Sequence, residues 1–105
     1  MDLDNNKLYI SKNGVFMNSG NPTSGSTGTG AISITAPAGT PTGNYFVAWG
    51  DNWSSGTATM SHNFGNGFFG TTAISSEGTN ASGNGKFEYD VPTGYTALST
   101  KGLNL

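Results

Sequence analysis

Apolar residues along this chain fall in short alternating bursts separated by long polar stretches, which is a strand pattern. Leu8 and Ile10 alternate with Lys7, Tyr9 and Ser11. Asn13-Gly14 follows, flanked by Lys12 and Val15. Both positions of an Asn-Gly pair accept positive φ, so the pair predicts a two-residue type I′ hairpin. That register sets Lys12 opposite Val15 and Ile10 opposite Met17, with a return strand over 15–18. Ala31 to Thr35 predicts a short strand with Ile32 and Ile34 on one face. Asn44 to Trp49 is the most apolar run and predicts a central strand. In Thr57 to Phe64, Ala58, Met60, His62 and Phe64 alternate with Thr57, Thr59, Ser61 and Asn63, as in a strand with one buried and one wet face. Further strands are expected near Thr71 to Ile74, over Phe87 to Tyr89 and over Tyr95 to Leu98. The last two are joined by a turn at Pro92-Thr93-Gly94.

No window of eleven or more residues repeats apolar groups at helical spacing. Gly, Thr, Ser and Asn interrupt every candidate helix. The segments 19–30 and 65–85 are rich in Gly, Ser and Thr and read as long loops. The first is either a surface excursion or a contact loop carried on a rigid sheet. Short strands with turn signals between them predict an all-β fold, an antiparallel β-sandwich, as a single domain spanning 1–105.

Composition narrows the picture. Leu, Ile, Val and Phe supply 18 of 105 residues. That share is low enough for disorder, but the high net charge that accompanies disorder is missing. The net charge is −2, and 12 residues are Phe, Tyr or Trp. Aromatic rings bury large areas and can build a core from few residues. A folded, core-poor module is expected, one that depends on partners for stability.

Four lysines, no arginine and no basic run argue against nucleic acid, whose phosphates are bound by clustered Lys and Arg. The same scarcity argues against a polybasic membrane contact. The longest apolar run, Tyr45 to Trp49, is far too short to span a bilayer. Cysteine is absent, which removes disulfides, thiolate metal sites and thiol catalysis. The opening residues, Met1 to Asn6, lack the basic and apolar regions of a cleaved leader, so a product that acts outside a cell is expected to leave by another route.

The order of motifs resembles the C-terminal part of SPRY domains. Asp2 through Lys7-Leu8-Tyr9-Ile10-Ser11-Lys12-Asn13-Gly14-Val15 is similar to the family's strand and "Lys-Asn-Gly" turn. Tyr45-Phe46-Val47-Ala48-Trp49 and then Ala58 to Asn63-Phe64-Gly65 resemble its next two strands, ending in "Asn-Phe-Gly". Phe87-Glu88-Tyr89 leading through Pro92-Thr93-Gly94-Tyr95-Thr96-Ala97-Leu98 is similar to its closing stretch. Versions rich in Ser, Thr, Asn and Gly look like the SPRY-like segments of bacteriophage virion proteins. The resemblance implies a SPRY/lectin-like sandwich, truncated at its N-terminal side. It also implies a viral structural role, in a capsid decoration or cement protein or in a tail fibre, at the virion. Strands missing from such a sandwich leave open edges that invite pairing with another chain. Virion proteins or identical subunits are the expected partners, with homo-oligomerisation.

No catalytic set is legible, and no enzymatic activity, cofactor or metal is expected. His62 is the sole histidine, no G-x-S-x-G elbow accompanies it, and it falls on an apolar strand face. Glu88 and Asp90 flank Tyr89 and could be a glycosidase pair or a solvated strand face. Asp2, Asp4 and Asn6 alternate like the first ligands of a calcium loop, but the Gly and closing Glu are missing. The most suggestive stretch is Trp49, Asp51, Asn52 and Trp53. An indole stacks on the apolar face of a sugar while polar neighbours bond its hydroxyls, so a carbohydrate- or host-receptor-binding module is the alternative. Trp49 as core and Trp53 as a subunit contact is the competing reading.

Overall fold

In the computed structural model, which describes residues 1–50 and 54–99, chain reversals organise the backbone more than sheets do. Asp2 and Lys7 exchange both backbone hydrogen bonds, at 2.7 and 2.8 Å, closing an N-terminal turn. Strand β1 (Lys7–Leu8) leaves that turn and pairs antiparallel with β4 (Ile32–Ser33), Leu8 opposite Ile32. The Ile34 amide continues this ladder by donating to the Asn6 carbonyl at 3.0 Å.

Strands β2 (Ser11–Lys12) and β3 (Val15–Phe16) form the hairpin that Asn13-Gly14 predicts. Lys12 faces Val15, and the Met17 amide donates to the Ile10 carbonyl at 2.9 Å, in the expected register. Asn13 and Gly14 have φ of 51° and 77°, the paired positive values that a type I′ turn requires. Strands β5 (Phe68–Phe69) and β6 (Thr72–Ala73) form a second tight hairpin, with Gly70 at positive φ entering its turn. At 92–95 the Tyr95 amide returns to the Pro92 carbonyl at 3.0 Å. Gly94, at φ 86°, takes the position that in a type II turn demands glycine.

The long loop at 19–30 contains a 3-10 segment, Pro22–Thr27. The Asn21 side chain caps it by accepting from the Thr23 amide, which satisfies a donor that the first turn leaves over. Shorter 3-10 turns cover Met17–Ser19 and Pro37–Gly39.

The chain is therefore of the all-β class, mostly short strands and loops. Its three ladders remain separate two-stranded sheets among the described residues. Four expected strands are corrected. Asn44 to Trp49 is not a central strand: it joins none of the ladders, and Phe46 and Val47 are 80% and 56% exposed. Thr57 to Phe64 also joins none of them, and Ala58, Met60, His62 and Phe64 are all exposed rather than forming a buried face. Residues 87–89 and 95–98 likewise approach their neighbours without forming a regular strand. The physical reason is common to all. Alternation states which side chains want cover, but a strand exists only where a second backbone receives its hydrogen bonds.

Among the described residues no aliphatic or aromatic side chain is buried; the buried positions are Pro22, Gly67 and Ser99, the last set against Gly65 and Gly85. The radius of gyration is 15.3 Å. A compact chain of this length reaches about 13 Å.

Candidate functional site

Of the four residues singled out as a binding stretch, Trp49 lies within the described structure, and Asp51, Asn52 and Trp53 lie outside the described residues. The Trp49 indole is half exposed. One side of it is covered by the His62 imidazole, with ring centroids 4.2 Å apart and planes tilted by 40°. Phe64 meets the same indole edge-on at 6.0 Å. The geometry is that of an aromatic platform: a ring held by two others and open to whatever docks against it. His62 thus packs as an aromatic surface residue beside Trp49.

Beside Phe64, the side chain of Asn63 ties two segments together. Its amide nitrogen donates to the Lys86 carbonyl at 2.8 Å, and its oxygen accepts from the Gly65 amide at the same distance. The Lys86 amide returns to the Gly65 carbonyl at 3.0 Å. The Asn63-Phe64-Gly65 motif thus anchors the 63–67 loop to the 85–87 segment.

A second aromatic surface forms around Tyr89, which sequence reasoning did not single out. An open cleft of about 340 Å³ is lined by Phe16, Phe69, Phe87, Tyr89, Pro92 and Tyr95, among others. A neighbouring cleft of similar volume is lined by Gly14, Phe16, Tyr89 and Pro92, among others. The Tyr89 ring closes against the hairpin turn so tightly that a Cβ added to Gly14 would stand 2.7 Å from it. The one signal in the sequence was the Phe87-x-Tyr89 alternation, which does not say what the rings face.

Glu88 and Asp90, the flanking carboxylates, are braces. Ser75 Oγ donates to Glu88 Oε1. Asp90 Oδ1 accepts from the Thr79 amide at 2.7 Å and from its hydroxyl at 2.9 Å. The Thr79 backbone N–H, and after it the hydroxyl, hold the Asp90 carboxyl below its ordinary range. These contacts lash 75–79 to 87–91, where the Gly78 amide also donates to the Phe87 carbonyl.

Asp2 is engaged in the same way. The Asn5 side-chain amide and then its backbone N–H lower its pKa, at 2.9 and 3.0 Å. The Asp2-Asp4-Asn6 alternation therefore forms a hydrogen-bonded turn. Among the described residues, no three acidic, His or Cys side chains converge as metal ligands do. No helix among them is long and apolar enough to cross a membrane.

Comparison with protein-family models, curated proteins and solved structures finds no match to this chain. The reading of its surfaces rests on their own chemistry.

Proposed function

We propose that this chain is a non-enzymatic structural module of a virion, a capsid decoration or cement protein or a tail-fibre component, acting through protein–protein contacts. One observation carries the reading: large apolar side chains stand exposed across the described surface, from Ile10, Val15 and Met17 to Phe46 and Leu98, over no apolar core. Such a chain gains its stability by burying those groups against other protein, and assembly then stabilises the fold by mass action. The virion setting is supported by the SPRY-like motif order and by the Ser, Thr, Asn and Gly that make up about half the chain. In this proposal the three open ladders belong to an antiparallel sandwich of SPRY/lectin-like type, completed by strands from neighbouring subunits.

The test is to purify virus particles from cultures that produce this chain and to look for it in them by electron microscopy with a labelled antibody. A regular copy number at fixed positions is expected. Purified particles that lack the chain would overturn the proposal.

A second reading is favoured by the half-exposed Trp49 indole on its His62 support: a lectin-like module that binds a glycan or host receptor. Glycan-array screening with Trp49→Ala and Trp53→Ala as controls separates the two. A signal abolished by either substitution supports the lectin reading, and the absence of any signal removes it.

A further inference from the structure

We propose that the partner covering this chain is a second copy of itself, and that the first hairpin supplies the contact face. The inference rests on the assembly reading above and names its partner.

Surface area carries the argument. A folded protein of 10.8 kDa leaves about 5,500 Å² accessible to solvent. This chain exposes 7667 Å². The excess is about 2,100 Å², against the roughly 800 Å² that one partner contributes to a standard interface. Two copies burying such an excess reach the range of obligate, permanent interfaces, which begins near 2,000 Å² in total. Obligate assemblies of soluble proteins are most often built from identical subunits.

The face is specific. Leu8, Ile10, Met17 and Ile32, with Asn18 and Gly30, line one small and mainly apolar cleft of about 70 Å³ between the β1–β4 ladder and the hairpin. Ile10, Met17 and Ile32 are each about half exposed, and Val15, two residues before Met17 on the same hairpin, is 72% exposed. Lys12, opposite Val15, is the one charged side chain of the hairpin, and the chain's net charge of −2 sets up little repulsion between copies. The strands β3 and β4 each pair on one side in this structure, leaving a backbone edge beside the apolar cleft.

Sedimentation velocity over a dilution series of the full chain tests this, with unfolding followed at each concentration. The expected result is an oligomer whose thermal midpoint rises with concentration. Met17→Lys should raise the dissociation midpoint about tenfold or more, and Ser55→Lys, at an exposed position that does not line this cleft, should leave it unchanged. Val15→Lys provides the second variant, because a residue so exposed tolerates lysine within one chain. A monomer that unfolds cooperatively at every concentration overturns both this inference and the assembly reading. A monomer that gains a cooperative transition only with a different purified particle protein overturns self-association and leaves the assembly reading standing. An oligomer indifferent to both Met17→Lys and Val15→Lys overturns the assignment of this face.

Discussion

Tyr95 donates its hydroxyl hydrogen to the backbone carbonyl of Pro22 at 2.9 Å, joining positions 73 residues apart in the chain. This bond fastens the closing segment to the 3-10 segment of the long loop. Tyr95→Phe keeps the ring and removes the bond, so a loss of about 1 kcal/mol is expected in chemical denaturation. Burial, with the Asp2 charge second, pushes the Tyr95 hydroxyl above its ordinary pKa. Its contribution is therefore complete below the unfolded tyrosine value near 10 and is lost as pH rises through the higher folded value. The phenylalanine variant should lose that part of the alkaline slope.

Gly14 answers to two constraints at once. Its φ of 77° places it in the left-handed region, and the Tyr89 ring occupies the space a Cβ would need. Gly14→Ala is expected to cost about 1–2 kcal/mol from backbone conformation alone, with displacement of Tyr89 in addition. Combining it with Tyr89→Ala should restore part of the steric share, and a thermodynamic cycle on the two positions measures it.

Asp90 gives the fold an acid sensitivity. Thr79 lowers the Asp90 pKa, so the stability it adds is present above the unfolded carboxylate value near 4 and fades as pH falls through the lower folded value. Asp2, lowered by Asn5, acts in the same direction. Melting temperature should drop as pH falls below about 4, and Asp90→Asn should flatten that drop. An unchanged acid limb in the variant would refute the assignment.

Asn6 is held at φ 55°, and its buried amide oxygen receives no hydrogen bond from the protein. A buried acceptor of this kind costs about 1–3 kcal/mol. Asn6→Gly removes the acceptor and the conformational strain together. The substitution should raise the unfolding free energy by up to about 1 kcal/mol after the extra chain entropy of glycine is offset, and the denaturation midpoint with it. A lower midpoint would indicate that the side chain supports the Asp2–Lys7 turn in another way.

Sequence alone determined what is local. The Asn13-Gly14 hairpin with its register, the strand at Ile32–Ser33, the strand within 71–74 and the Pro92–Gly94 turn all follow from backbone preferences within a few residues. The all-β class follows from the same signals. Tertiary structure alone decided which segments meet: Leu8 against Ile32, Asn63 against Lys86, Asp90 against Thr79, Tyr89 against Gly14. The apolar runs at 44–49 and 57–64 show where the division lies. Their spacing marks side chains that gain by leaving water, whereas the surface that covers them is a property of whatever packs alongside, and that cannot be written into a pattern of single positions.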